Sequence, residues 1–175
     1  EAPQARLTRG TVDGVRLVNC YVPNGSRVGS EKFSYKLGWL ARLRKLLADE
    51  EDPTAPMLVC GDFNIAPGDL DVWDPIECDG ELLFHPAERE SLRRTLDWGL
   101  HDAYRHVHPR GRDYSWYDYR GGAFQKNRGF RIDLLLVTET LLGRVTEVRT
   151  WREPRTRDKP SDHLPVSVDL AEVSG

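Results

Sequence analysis

The segment Leu58-Val59-Cys60-Gly61-Asp62-Phe63-Asn64-Ile65 constrains this chain more than any other. A short apolar run ending in glycine reads as a buried strand, and polar residues follow at its carboxyl end. Open α/β sheets bind ligands at the carboxyl ends of their strands, so Asp62 and Asn64 can face one site together. An anionic acceptor beside a neutral amide suits water activation next to a phosphate. A strand-end Asx turn is the plainer alternative, and for an isolated Asp-x-Asn it is the better one.

Two further segments shift that balance. Arg131-Ile132-Asp133-Leu134-Leu135-Leu136-Val137 is a second apolar strand with an acid near its start. A carboxylate in such a run is costly unless paired. Lys159-Pro160-Ser161-Asp162-His163-Leu164-Pro165-Val166 holds an Asp-His pair between two prolines, just before a terminal strand. Imidazole is a natural partner for a carboxylate in a proton or phosphate site. Each segment alone suits a structural role. Three such segments at strand edges point to one shared site.

At 175 residues the chain has the usual size of one domain. No apolar run approaches the roughly 20 residues needed to span a bilayer. Cys20, Cys60 and Cys78 have no metal-ligand spacing; Cys20 and Cys60 read as buried reduced thiols, which fits a cytoplasmic location. The net charge of -3 argues mildly against a nucleic-acid partner. The distribution argues the other way. Arg105, Arg110, Arg112, Arg120, Lys126, Arg128 and Arg131 face only Asp113 and Asp118, with Tyr114, Trp116, Tyr117, Tyr119, Phe124 and Phe130 interleaved. Basic charge can hold phosphates while aromatic faces stack on bases. A solvated loop with core-anchored aromatics is the alternative.

Strands are expected over 6–11 and 15–22, joined by the tight-turn pair Asp13-Gly14. A helix over 34–47 follows from Leu37, Leu40, Leu43, Leu46 and Leu47. After the strand at 57–60, a helix opens on Pro86 and runs to Trp98. Leu100 to Tyr104 is a short extended piece, and strands at 131–137, 145–151 and 166–170 complete the chain. This amounts to one mixed sheet with helices on one face. Its other face then needs a cover.

Five motifs occur in order: Asn19-Cys20-Tyr21-Val22-Pro23-Asn24-Gly25, Gly61-Asp62-Phe63-Asn64-Ile65, Tyr114-Ser115-Trp116-Tyr117-Asp118-Tyr119-Arg120, Asn127-Arg128-Gly129-Phe130-Arg131-Ile132-Asp133 and Ser161-Asp162-His163. Together they resemble the exonuclease III family of abasic-site DNA repair endonucleases, within the endonuclease/exonuclease/phosphatase superfamily. The resemblance implies an α/β fold in which 1–175 form the C-terminal part of a single four-layer sandwich domain. The second sheet would come from an N-terminal half not present in this sequence, or self-association would cover the face. The family's Gln-Glu-Thr-like motif, whose glutamate is its main metal ligand, has no counterpart here.

The resemblance also assigns roles. Asp62 is the general base or water-orienting residue and Asn64 a donor to phosphate or nucleophile. His163 is a phosphate-binding imidazole oriented by Asp133, and Tyr21 hydrogen-bonds the scissile phosphate with Asn24 in support. Trp116 and Phe130 form the pocket for a base-free sugar, with Arg120 and Arg128 on the DNA. Asp162, Asp62 and Asn64 lie nearest the metal, expected to be magnesium with manganese as a substitute. The implied activity is phosphodiester hydrolysis on double-stranded DNA at abasic sites or 3′ ends. The alternatives are an inactive DNA- or protein-binding fragment, or a phosphodiesterase acting on lipid or inositol phosphates.

Overall fold

The tight turn forms where Asp13-Gly14 places it. Strands β1 (Leu7–Val12) and β2 (Val15–Tyr21) pair antiparallel, and Asp13 and Gly14 take φ of 48° and 77°. Two successive positive φ values give a turn whose twist matches that of the flanking strands. The computed structural model describes residues 5–172. The chain next enters helix α1 (Glu31–Glu50), where the Ser30 hydroxyl accepts from the Phe33 amide and caps the first turn. Its buried face is Phe33, Lys36, Leu40, Leu43 and Leu47, a helical stripe in which one position is a lysine.

Strand β3 (Met57–Asp62) returns parallel to β2. Gly61 is required there: at φ 124°, an added Cβ would lie 2.0 Å from the Cys20 carbonyl oxygen on β2. The long polar segment that follows carries a short helix, α2 (Pro75–Cys78). Helix α3 (Pro86–Leu96) then opens on His85, whose Nδ1 accepts from the Ala87 amide. Strand β4 (Leu100–Asp102), helix α4 (Ala103–Val107), strand β5 (Asp133–Thr138), helix α5 (Glu139–Leu142) and strands β6 (Val145–Thr150) and β7 (Val166–Leu170) complete the order.

The main sheet has the order β1-β2-β3-β5-β4, and only the β2–β3 pair is parallel. Strand period sorts its side chains into two cores. Val18, Cys20, Met57, Val59, Leu134 and Leu136 pack under Leu40, Leu43 and Leu47 of α1 and Leu92 of α3. On the other face, Val15, Leu135 and Val137 pack with Val148, flanked by Val145, Val166, Val168 and Leu170.

That second core changes one sequence expectation. Strands β6 and β7 do not join the main sheet; they pair with each other and lie against its other face. The second layer of the sandwich therefore begins within this chain. It covers the β5 side, while Leu17, Leu58 and Cys60 nearer β1 remain half-buried and Val12 is 56% exposed. Cys60 is thus only partly buried, although all three cysteines are free as expected. Between β5 and β6 the chain turns through the end of helix α5, with Gly143 as its C-cap.

Candidate active site

Register builds the centre of the site. Tyr21 on β2 lies opposite Asp62 on β3, and Asp62 lies opposite Asp133 on β5. Cross-strand partners share a face, so three polar side chains form one row across the sheet at the carboxyl end of β2 and β3. The Pro160–Pro165 segment crosses this edge and brings in His163. Its Nδ1 lies 2.9 Å from Asp133 Oδ2, and its Nε2 lies 3.9 Å from Asp62 Oδ2. The imidazole bridges the two acids.

The loop after β3 is bent by Asn64 at φ 51°, a left-handed conformation that asparagine tolerates better than most residues. Both Asp62 oxygens are held by this turn: Oδ1 accepts from the Asn64 amide at 2.8 Å and Oδ2 from Asn64 Nδ2 at 3.0 Å. Asn64 Nδ2 also donates to the Val22 carbonyl, and its Oδ1 accepts from Asn24 Nδ2 at 2.9 Å. The amide protons of Asn64 are therefore spent on Asp62 and the backbone. In this arrangement Asn64 orients Asp62; it does not present a free donor to a phosphate, as the sequence suggested.

Beneath the loop lies a group that sequence reasoning missed. Lys36 is fully buried, and its ammonium donates to the carbonyls of Asn24 (3.1 Å) and Asn64 (2.7 Å) and to the Glu88 carboxylate. Glu88, also fully buried, accepts through its other oxygen from the His85 amide. One ion pair thus ties α1 and α3 to both site loops. The available signal was a lysine in the apolar stripe of α1. Ser115 was missed as well: its buried hydroxyl accepts from the amides of Ile132 and Asp133, each at 3.0 Å, and fixes the start of β5.

A cleft of about 710 Å³ opens over the row, lined by Tyr21, Asn24, Asp62, Asn64, Trp116, Phe130, Asp162 and His163 among others. Trp116 and Phe130 meet edge to face with centroids 5.9 Å apart, forming an apolar wall. Trp116 Nε1 donates to Asp162 Oδ2 at 2.9 Å. Arg120 reaches the cleft while paired with Asp118. Arg128 is not among the cleft residues; its guanidinium lies 4.5 Å over the Trp73 ring. The basic run at 105–131 is also divided. Arg131 is buried against Asp71 and Asp102, and Arg105 pairs with the same Asp71, so neither is free for a phosphate. Tyr114 and Tyr117 are likewise core residues.

Electrostatics separate the two acids' neighbours. Burial, reinforced by the Asp133 charge, pushes Asp62 up to about 6, against the pull of the Asn64 amide, His163 and Lys36. Burial works to lower His163, but the hydrogen bond and charge of Asp133 outweigh it and its pKa is raised. As to a metal, among the described residues no three His, Cys, Asp or Glu side chains are arranged so that together they could hold one ion. Asp62 already has both oxygens engaged and Asp162 has one engaged by Trp116. The donors present do not by themselves complete a magnesium site.

A row of polar side chains at the carboxyl end of the strands, on a sandwich of this kind, defines a class. The chain belongs to the Endonuclease/Exonuclease/phosphatase family, whose profile matches residues 2–163, and within it to the exonuclease III group. It is 39% identical over 158 residues to the exodeoxyribonuclease III of Haemophilus influenzae, covering 86% of this chain and 59% of that protein. Among solved structures, a Neisseria 3′ phosphatase bound to a product DNA hairpin superposes with TM-score 0.93 at 38% identity, covering 98% of this chain and 67% of that one. An AP endonuclease from Archaeoglobus fulgidus superposes with TM-score 0.91 at 38% identity, covering 96% of this chain and 65% of that one. The chain thus spans about three fifths to two thirds of the length of these relatives.

Proposed function

We propose that this chain carries the phosphodiester-hydrolysing side chains of a DNA repair nuclease that acts as a 3′–5′ exonuclease and abasic-site endonuclease. The observation that carries this reading is the row Tyr21–Asp62–Asp133 with His163 hydrogen-bonded to Asp133 above it. Residues 1–175 are then one part of a single domain completed by an N-terminal segment, working in the cytoplasm on double-stranded DNA.

Hydrolysis of a phosphodiester needs an in-line water, a base for its proton, and positive charge on the phosphoryl oxygens. Asp62 supplies the base: with a pKa near 6 it is ionised at neutral pH yet more basic than an ordinary carboxylate. Asn64 holds both of its oxygens in place. His163, whose charged form Asp133 favours, binds a phosphoryl oxygen and stabilises the charge that grows there. The Tyr21 hydroxyl, on a side chain 51% exposed, donates to the same phosphate from the other side. Trp116 and Phe130 receive the sugar at the break. Asp162 and Asp62 are the residues through which this chain would contribute to a divalent cation, magnesium first. Such an ion, when bound, would add charge at the phosphate and leaving oxygen. The Neisseria relative solved with a DNA hairpin and the Haemophilus exodeoxyribonuclease III support the substrate class.

Asp62→Asn, in this chain joined to its N-terminal half, tests the reading. A lost base affects the transition state more than ground-state binding. Binding of an abasic duplex is expected to stay within a few fold while the cleavage rate falls by about 10²–10⁴. A rate close to the unaltered protein removes Asp62 from the base role.

A further inference from the structure

The segment between β6 and β7 carries Arg152, Arg155, Arg157 and Lys159 against Glu153, Asp158 and Asp162. Arg157 is paired with Glu153. Among the described residues Arg152 and Arg155 make no ion pair with a carboxylate; each is held by aromatic rings. The Arg152 guanidinium lies 4.6 Å over Phe124, and its Nη1 donates to the Tyr117 hydroxyl (2.6 Å) and to Asn127 Oδ1 (3.1 Å). Arg155 lies 4.6 Å over Tyr119, and its Nε is buried without a hydrogen-bond partner. Ring faces hold a guanidinium in place without neutralising it.

This patch adjoins the cleft. Tyr119, 60% exposed, sits between Asp118 and Arg120, both of which line the cleft wall. Its hydroxyl donates to the Pro160 carbonyl at 2.7 Å, two residues before Asp162. Two acids of this region, Asp118 and Glu153, are already paired with Arg120 and Arg157. We infer that Arg152 and Arg155 form a second phosphate-binding surface that grips the backbone of the same DNA duplex beyond the cleft wall. The inference rests on the proposed DNA function. The physical case is that two fixed, uncompensated guanidiniums suit a run of phosphates, and aromatic support lowers the entropy lost on binding.

The affinity of the 175-residue chain for a fluorescein-labelled duplex with a recessed 3′ end, measured by anisotropy across a salt series without metal, tests this. Each phosphate contact adds about 0.9 to the slope of log K against log salt. Arg152→Gln/Arg155→Gln should therefore make the slope shallower by about 1.8. Arg152→Lys/Arg155→Lys, which keeps both charges, should restore most of it. Arg144→Gln, on the far side of β6, serves as the control and should leave the slope unchanged. Single Arg155→Gln, which spares the hydrogen bonds of Arg152 to the Tyr117 hydroxyl and Asn127 and removes only a 3.5 Å hydrogen bond to the Tyr117 carbonyl, should cost about 0.9 and reports even if the double variant unfolds. An unchanged slope in a folded Arg155→Gln variant, with the unaltered chain binding DNA, overturns this inference and leaves the proposed function standing. Failure of the unaltered chain to bind any duplex overturns the inference together with the DNA reading.

Discussion

At His163 two forces oppose each other. Burial disfavours the charged ring, while Asp133 at 2.9 Å favours it, and the net effect is a raised pKa. A raised folded-state pKa contributes stability that is fully present below the unfolded value and is lost as pH rises through the folded one. Asp133→Asn should therefore lower the His163 pKa and flatten the stability profile over that window. NMR titration of the ring protons in both proteins measures it; equal pKa values in the two would refute the coupling. Lys36 poses the complementary case of a charge buried away from bulk solvent. Lys36→Met leaves Glu88 buried and unpaired, which costs about 3–5 kcal/mol. Lys36→Met/Glu88→Leu removes both charges and should recover most of that loss in urea denaturation. A double variant no more stable than the single one would show that the pair's charges do not dominate its contribution. Asp62, Asn64 and the Asp162-His163 pair were legible because each is a short motif at a strand end. Lys36 with Glu88, and Ser115 with Asp133, were not, because each joins residues far apart in the chain through packing that no local pattern encodes.

The elements follow local rules more closely than their arrangement does. The Asp13-Gly14 turn, the leucine stripe of α1 and the proline opening of α3 all predicted their elements within a few residues. Pairing was different. Strands β6 and β7 alternate apolar and polar residues, whereas β3 and β5 are near-continuous apolar runs. That difference marks β6 and β7 as half-exposed, but it does not say that they pair with each other and not along an edge of the main sheet. The Gly61 position is where local and long-range demands meet, because β2 approaches the backbone just before Asp62. Gly61→Ala forces a Cβ to within 2.0 Å of the Cys20 carbonyl at a φ of 124°. The expected loss is about 3 kcal/mol or more, read from thermal or urea unfolding. The β2–β3 register should also loosen, seen as faster amide exchange at Cys20 and Val22. A variant with unaltered stability would mean that the two strands can part there at little cost.

On the scale of the whole molecule, the two faces of the main sheet are unequal. Helices α1 and α3 seal one face, whereas β6 and β7 cover the other only on the β5 side. Leu17, Leu58 and Cys60 stay half-buried on that face, and Val12 and Tyr21 are more than half exposed. The row Tyr21–Asp62–Asp133 occupies the edge of this same open face, so the open surface of the fold and the proposed site are neighbours. The isolated 20.0 kDa chain should therefore bind a hydrophobic dye and sediment as a dimer or larger species. It should also show little magnesium-dependent cleavage of an abasic duplex. Magnesium is usually held by one or two carboxylates with water and substrate phosphate, and here Asp62 and Asp162 are already engaged in hydrogen bonds. Sedimentation, dye fluorescence and a cleavage assay on the same preparation decide it. A dye-silent monomer with robust, EDTA-sensitive cutting abolished by His163→Ala would mean that Asp62 and Asp162 hold the ion well enough without a further carboxylate.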